Sequence, residues 1–358
     1  MTGTGAHALE PGTAADLRAV AERFAVTAAA VDAGERDVRE GLRLLGRWGL
    51  LAPSGAPGER LAASVAVLRA VASASLADAF SAWSQTVVVE YLERFPPAGG
   101  GGELLAGLRA GTACGATALA PALADVAGGP PVPVVATPTR AGSWRLDGEL
   151  PWASNLFDDA ALVLPARTPD GGRLVALVRL GAPGVHLRPV GELLALNSTG
   201  TAAVQLDGAV AGPGAVLARD LTAFVGACRP VMLLTQAALA LGVADAALDG
   251  AATHLHGAEG VAGGDHRELL GERDRLAARL GRLAREPGHQ GPTGPAAARL
   301  DALHLVARAV TVEGLLAAGA GYRAAHPAAR RRREAAFLPV QAPGELQLRR
   351  ALAGAAAR

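Results

Sequence analysis

The segment Gly142-Ser-Trp-Arg-Leu-Asp-Gly-Glu-Leu-Pro-Trp-Ala-Ser-Asn155 decides the fold hypothesis for this chain of 358 residues. Its apolar side chains Trp144, Leu146 and Leu150 fall on alternate positions around the central pair Asp147-Gly148. Alternating hydrophobic residues around an Asp-Gly pair are the strongest short-range signal of a β-hairpin. The sequence therefore predicts two strands joined by a tight turn, followed by a Trp-x-Ser-Asn exit from the second strand.

Helices are predicted on both sides of this segment. Apolar residues recur at near-helical spacing in residues 13–112, and long alanine- and leucine-rich segments return from about residue 219. Between them, short valine- and leucine-rich runs are separated by Gly, Pro and Asp, which is typical of an antiparallel sheet. The predicted strands cover residues 132–136, 143–147, 161–165, 174–180 and 201–206. The expected domains are an N-terminal all-α domain (1–112), a middle β domain (113–219) and a C-terminal α-helical domain (220–358).

Three segments of the C-terminal part have distinctive compositions. Residues 256–265 and 286–295 are rich in glycine or proline, and the sequence predicts a mobile loop at each. Residues 231–244 form the longest apolar stretch, but Thr235 and Gln236 interrupt it. The stretch is also shorter than the roughly 20 residues that span a bilayer. We therefore expect a buried helix there and no membrane partner.

The overall composition is that of a cytoplasmic globular protein. Hydrophobic residues make up 50% and charged residues 19%, which is enough for a core in more than one lobe. Because 34 basic side chains face 33 acidic ones, the charge favours neither nucleic acid nor an anionic membrane as a partner. Cys114 and Cys228 are too few for a disulfide framework, and the N-terminus shows no secretion signal. His254 and His256 would project in different directions on a helix, so no metal site is expected.

Local matches spread over the whole length resemble the acyl-CoA dehydrogenase family. In chain order they are Leu45-Gly-Arg-Trp-Gly-Leu-Leu51, Trp152-Ala-Ser-Asn155, Asn197-Ser-Thr-Gly-Thr201, Gly319-Ala-Gly-Tyr322, Pro327 and Arg333-Glu-Ala335. The resemblance implies an α+β fold with an N-terminal helical domain, a middle antiparallel β domain and a C-terminal α-helical bundle.

The same resemblance implies a flavin that lies against the sheet domain. Trp152 would stack on its isoalloxazine ring, and Ser154 would offer a hydroxyl or backbone N–H near flavin N5, with Asn155 in the same contact segment. Thr117 occupies the place of a Thr-Glu-Pro flavin contact, although the glutamate is missing here. Read from the residues alone, Trp152 is equally a core aromatic at a sheet edge, Ser154 a turn residue and Thr117 a structural residue.

Substrate contacts and the far end of the cofactor give weaker signals. Ser198 and Thr199 match a serine that lies near the ring or the substrate in the family, and their alternative role is to cap a strand turn. The family's Arg-x-x-Phe-Gly segment, which holds the adenine end, is replaced by residues 257–264, which contain neither a cation nor an aromatic ring. FAD is the expected cofactor, with FMN, a loosely bound flavin or no flavin as alternatives.

The chain has no carboxylate where the family has its catalytic base. In the family a glutamate removes the α-proton of the substrate, and its usual position falls on Gln341 or Ala342. The family's second location for this glutamate falls at about Met232, in an apolar stretch. Glu345 is the nearest carboxylate and the candidate catalytic base, and Glu90 is a second candidate.

Three functions remain open at this stage. The first is a flavin-dependent oxidoreductase acting on an acyl thioester of CoA or of a carrier protein, whose phosphates could pair with Arg330-Arg-Arg-Arg333. The second is a flavin monooxygenase that uses reduced flavin and O₂; such enzymes often use a His where this chain has Trp83-Ser-Gln-Thr86. The third is a non-redox binding or scaffold protein. We expect a homodimer or homotetramer through apolar faces at 231–250 and 296–318.

Overall fold

The computed structural model describes residues 14–139, 142–256, 258–286, 291 and 293–356. Its first part is helical, with α1 (Ala14–Ala25), α2 (Ala28–Asp32), α3 (Arg39–Arg47), α4 (Pro57–Ala74), α5 (Leu76–Arg94) and α6 (Gly102–Ala110). α5 is buried along most of its length, and the Ser75 side chain begins it by accepting a hydrogen bond from the Asp78 backbone N–H. α5 is therefore fixed at its N-terminus and forms a wall beside the sheet.

Eight strands in the described part of the chain form one sheet. They are β1 (Gly115–Thr117), β2 (Val135–Pro138), β3 (Trp144–Ala153), β4 (Ala161–Arg167), β5 (Arg173–Arg179), β6 (Val185–Pro189), β7 (Ala202–Ala211) and β8 (Val216–Ala218), and α7 (Ala120–Val126) follows β1. Their order is β6-β7-β3-β2-β4-β5-β8, and β1 pairs with β4. β1 and β2 run parallel to β4 because the chain returns to β4 through α7 and β3 rather than through a tight turn. The other five strand pairs are antiparallel, as expected for the middle domain, so the sheet is mixed but mainly antiparallel.

β3 also corrects the hairpin prediction. No turn interrupts it at Asp147-Gly148, and one continuous strand pairs with β2 on one side and β7 on the other. The register with β7 shifts by one residue next to Asp147, whose carboxylate accepts a 2.9 Å hydrogen bond from the Gly208 backbone N–H. Gly208 is the extra residue on β7 and has a φ of 68°. The Asp-Gly pair therefore marks a β-bulge, and not the tip of a hairpin.

The C-terminal part is a helical bundle around one central helix. It contains α8 (Leu221–Ala252), α9 (Glu259–Arg285), α10 (Gly294–Leu316), α11 (Ala318–Gly321), α12 (Pro327–Phe337) and α13 (Glu345–Ala356). α8 packs against α4, α5, α9 and α10. By length and composition alone α8 could cross a membrane, but 89% of its most apolar window is buried inside the protein. It is therefore the core helix of the bundle.

Two further expectations for this region change. The apolar faces at 231–250 and 296–318 lie largely in the core between α8 and α10, so they are not free to form a subunit interface. The loop predicted at 256–265 is in part the start of α9, which begins at Glu259, and its Gly257 lies outside the described residues. Half of the second predicted loop, 286–295, also lies outside them.

A buried carboxylate joins the C-terminal bundle to α5. Glu334 of α12 is 3% exposed, and its side chain accepts a hydrogen bond from the Leu76 backbone N–H at the start of α5. Arg330 lies one helical turn earlier, with its Nε 3.9 Å from Glu334 Oε1, and donates a hydrogen bond to the Ala74 carbonyl. Burial raises the pKa of Glu334 to about 7, although Arg330 acts in the opposite direction.

We predict that Glu334→Gln removes a pH dependence from the stability of the protein. Because the pKa of Glu334 is raised on folding, its contribution is favourable below about pH 4.5 and is lost as the pH rises through about 7. The substitution keeps a hydrogen-bond acceptor for the Leu76 N–H. Between pH 5 and pH 8 the wild type should therefore lose on the order of 2 kcal/mol more of its free energy of unfolding than Glu334→Gln does, as measured by urea titrations.

Glu345→Gln is the matched control for this prediction. The hydrogen bond from Arg349 lowers the pKa of Glu345, so its contribution is already complete at pH 5 and does not change up to pH 8. If the free energy of unfolding depends on pH in the same way in Glu334→Gln and in the wild type, the pH dependence does not come from Glu334.

Candidate functional site

A cavity of about 540 Å³ lies between the sheet and both sets of helices. β1 and the end of β3 form one wall, α5 and α7 form the second, and α12 with the link to α13 forms the third. The cavity walls are mostly apolar, and Phe80 packs against Trp83 at 5.5 Å and against Phe337 at 4.8 Å between ring centroids. Its volume is typical of a site for a small molecule or a cofactor ring.

Large apolar side chains at the rim of this cavity are exposed to solvent. Trp152 is 56% exposed, Leu194 67% and Val340 72%. Exposed apolar residues clustered beside an apolar cavity indicate a ligand-binding surface, whereas single exposed apolar residues are common on protein surfaces. A larger groove of about 950 Å³, beside Arg43 and Arg179, contains none of the predicted site residues.

Asn155 fixes the backbone that presents the cavity residues. It is fully buried, and its side-chain Nδ2 donates to the carbonyls of Ser81 at 2.9 Å and Gly115 at 3.1 Å. Its Oδ1 accepts a 2.6 Å hydrogen bond from the Ser81 hydroxyl, and its backbone N–H donates to the Thr199 carbonyl. The Asn155 amide therefore has no free group for a cofactor; it holds the exit of β3 against α5 and β1.

The other residues predicted near a flavin divide into two groups. Trp152, Ser154, Thr117 and Thr199 all line the cavity, whereas Ser198 does not. The Ser154 and Thr199 hydroxyls each lie within 2.8 Å of the Thr201 hydroxyl, and Thr199 donates to the Leu196 carbonyl. These three hydroxyls form a polar strip on an otherwise apolar wall.

The two positions inferred for a catalytic base both face the cavity. Gln341 and Ala342 line it from the link after α12, and Met232 lines it from α8. No described residue of the lining is a carboxylate. The lining formed by the described residues consequently has no carboxylate that could remove a proton from a carbon acid in the way a glutamate does.

The two candidate carboxylates lie elsewhere. Glu345, at the start of α13, pairs with Arg349 and lies 3.5 Å from His304 Nε2, and it is not part of the cavity lining. The hydrogen bond from Arg349 lowers its pKa, which makes it a weaker base. Glu90 pairs with Arg94 beside a different surface groove. The structure therefore brings neither residue to the cavity.

Arg299 is a site residue that the sequence did not single out. It is completely buried in α10 and donates hydrogen bonds to the Gln236 carbonyl at 2.9 Å, the Leu338 carbonyl at 2.8 Å and Gln341 Oε1 at 3.1 Å. Gln236 Nε2 also donates to the Ala342 carbonyl. Burial lowers the pKa of Arg299 to about 9. A buried cation and two amides thus hold the link that faces the cavity.

Three polar groups in the cavity wall have no hydrogen-bond partner among the described residues. They are the Thr117 hydroxyl and two N–H donors, Trp83 Nε1 and Gln341 Nε2, whose side chains are 4% and 5% exposed. Buried polar groups are almost always paired in folded proteins, so unpaired ones in a cavity indicate a ligand. Together with the exposed Trp152 indole, they fit the ring of a flavin and a bound substrate.

The arginine run expected to bind phosphates has mostly internal partners. Arg330 bonds to the Ala74 carbonyl, Arg331 to Glu313 and Arg333 to Asp32. These contacts join α12 to α4, α10 and α2, so the run is mainly a structural cross-link.

Comparisons with known proteins identify the fold. No family model matches the sequence, and no curated protein matches it. Butyryl-CoA dehydrogenase from Megasphaera elsdenii superposes with a TM-score of 0.83 at 18% identity over 100% of both chains. Glutaryl-CoA dehydrogenase from Mycobacterium smegmatis, solved with FADH2, gives 0.81 at 18% identity, covering 95% of this chain and 94% of that one. Dibenzothiophene monooxygenase from Paenibacillus sp. A11-2 gives 0.72 at 18% identity, with 93% and 94% covered. The chain has the acyl-CoA dehydrogenase fold.

We predict that Asn155→Ala destabilises the protein by about 3 kcal/mol, because it leaves buried carbonyl groups without donors and places Ala at a left-handed φ of 59°. Asp159→Ala is the control, since Asp159 has a φ of 60° but is exposed. The control should lose only about 1 kcal/mol in urea titrations. Equal losses for the two variants would show that the buried hydrogen bonds contribute little.

Proposed function

We propose that the protein is a flavin-dependent oxidoreductase that binds an apolar substrate in the cavity. The observation that carries this proposal is a cavity lined by Trp152, Ser154 and Thr117, with unpaired donors in its wall. A bound flavin would supply hydride or oxygen chemistry that amino-acid side chains lack. The chain would contribute a stacking surface, the hydroxyls beside it and a cavity that excludes water.

The absence of a carboxylate from the described lining favours monooxygenation over dehydrogenation. Forming an α,β double bond in an acyl thioester requires a base for the α-proton, and Gln341 and Met232 cannot accept one. Monooxygenation consumes substrate, O₂ and reduced flavin and yields hydroxylated substrate, water and oxidised flavin. That balance needs no carboxylate at either position. The fold similarity to dibenzothiophene monooxygenase is compatible with this reaction.

The second candidate is oxidation of an acyl thioester carried by CoA or by a carrier protein. The similarity to acyl-CoA dehydrogenases favours it, and the apolar cavity suits an acyl chain. A base from outside the described lining would have to enter the cavity during turnover. A non-redox binding protein remains the third candidate, because the cavity would also hold an apolar ligand without any reaction.

The affinity for the cofactor is expected to be modest. FAD is the proposed cofactor, yet residues 259–264 at the start of α9 offer neither a cation nor an aromatic ring for its adenine end. FMN or a reduced flavin that exchanges freely would depend less on that region. We also propose a cytoplasmic homodimer or homotetramer; the exposed apolar Val261, Leu315 and Tyr322 are candidates for its interface.

The decisive test is spectroscopic. The purified protein is incubated with FAD or FMN, freed of excess flavin and examined for absorbance bands near ~370 and ~450 nm. Because the expected affinity is modest, we expect only part of the flavin to be retained, and butyryl-CoA should not bleach it under anaerobic conditions. We also expect chemically reduced protein to consume O₂ faster when an apolar aromatic compound such as indole is present. Bleaching by the acyl-CoA would instead favour the dehydrogenase, and a colourless protein would exclude a tightly bound flavin.

We predict that Trp152→Leu weakens flavin binding about tenfold, since it removes a stacking contact of on the order of 1 kcal/mol together with apolar area. Trp144→Leu is the matched control on the same strand, because Trp144 does not line the cavity and instead lies against Arg219. Flavin dissociation constants are measured by quenching of flavin fluorescence. Equal losses in both variants would mean that β3 as a whole, and not the Trp152 ring, supports the cofactor.

A further inference from the structure

We propose that Arg299 is a positioning residue that turns the Gln341 amide so that its N–H₂ group donates into the cavity. The cavity then selects substrates that have an acceptor oxygen, and it prefers anionic substrates to neutral ones. This inference rests on the proposed function, because it assumes that the cavity binds a substrate. The binding preference itself can be measured whether or not flavin chemistry occurs.

The orientation of Gln341 follows from its partner. A guanidinium group only donates hydrogen bonds, so the Gln341 atom 3.1 Å from Arg299 Nη2 must be the carbonyl oxygen Oε1. The remaining atom, Nε2, is then the one without a partner in the described chain, and Gln341 lines the cavity. Arg299 has little freedom to move, because its other hydrogen bonds are to backbone carbonyls of α8 and of the end of α12.

The positive charge of Arg299 also favours an anionic ligand. Arg299 donates hydrogen bonds to three neutral oxygens, and no carboxylate of the described chain pairs with it. A fully buried cation without an anionic partner is costly and favours negative charge close by. The Leu338 carbonyl at the end of α12 compensates in part, since cations are stabilised at helix C-termini. An anionic group that accepts from Gln341 would complete the compensation.

The rest of the cavity wall fits the same ligand. Trp83 Nε1 is a second unpaired group, and an indole N–H can only donate. Acidic side chains, which would attract an ammonium group, are absent from the described lining, whose one charged residue, Arg333, pairs with Asp32. The favoured ligand therefore has an apolar body, which packs against the Phe80 and Phe337 rings in the cavity lining, and a carboxylate, enolate or carbonyl oxygen.

The test uses three probes with the same apolar tail: octanoate, 1-octanol and octylamine. Their dissociation constants are measured by titration calorimetry at pH 7.5, on the protein as purified and on the protein saturated with FAD. We expect octanoate to bind at least about tenfold more tightly than octylamine, with octanol between them, as hydrogen bonds to charged groups predict. Equal binding of the three probes, or no binding of octanoate at 1 mM (about −4 kcal/mol), overturns the proposal.

The variants separate a directing role from a structural one. Gln341→Leu should reduce the octanoate-to-octylamine ratio to within about threefold and weaken octanol binding less than octanoate binding, because a hydrogen bond to a charged ligand is worth more than one to a neutral ligand. Gln341→Glu should reverse the preference. Met232→Leu, an apolar change on α8 elsewhere in the cavity lining, is the control and should preserve the preference for octanoate. A preference that persists in Gln341→Leu would refute the assignment.

Arg299→Met tests the positioning step. It should lower the octanoate preference as Gln341→Leu does, although no contact between Arg299 and the ligand is involved. If this variant fails to fold, as judged by circular dichroism, the Gln341 variants decide the question. Failure of the proposed function would appear separately, as a protein that shows the head-group preference but retains no flavin. A preference lost only in the FAD-saturated protein would assign the donors to the flavin and overturn the inference.

Discussion

The buried amide of Asn155 is the contact on which the geometry of the cavity depends. It joins the end of β3 to α5 through Ser81 and to β1 through Gly115, three elements that are distant in sequence. Since β3 ends in the cavity wall, this joint fixes the positions of Trp152 and Ser154 relative to the helices. The left-handed backbone at Asn155 gives the abrupt exit, and Asn tolerates that conformation better than most residues. One side chain thus couples the sheet to the helical wall of the site.

The electrostatics of the cavity set this chain apart from the chemistry its resemblance implies. Where that resemblance places a glutamate, the chain has Gln341 or Ala342, and behind Gln341 lies the buried cation Arg299. An amide beside a guanidinium group donates, whereas a carboxylate would accept a proton. The same wall can therefore polarise or hold an acceptor oxygen, but it cannot deprotonate a carbon acid. Fold similarity alone suggests a dehydrogenase, whereas the side chains of the site favour the proposed monooxygenase.

Much of the fold was accessible from periodicity, and the failures have a common physical cause. Helical spacing and valine-rich runs are local signals, so the order of helices, sheet and helices could be predicted. An Asp-Gly pair is favoured both in tight turns and at bulges, and the choice depends on the partner strand. That partner, at Gly208, lies about 60 residues away from Asp147 and contributes the bulged residue. Loop composition at 256–265 likewise gave no sign that α9 begins there.

The candidate site was predictable to the extent that it lies in matched segments. Trp152, Ser154 and Thr199 face one cavity because their segments flank paired strands. Glu345 is close in sequence to the expected position of the catalytic base, but it pairs with Arg349 outside the cavity. Arg299 could not have been found in this way. An arginine in a helix is normally exposed, and its burial depends on acceptors contributed by α8 and by the end of α12. A buried polar group of this kind is specified by tertiary structure alone, which is why the donor character of the cavity becomes visible only in the folded chain.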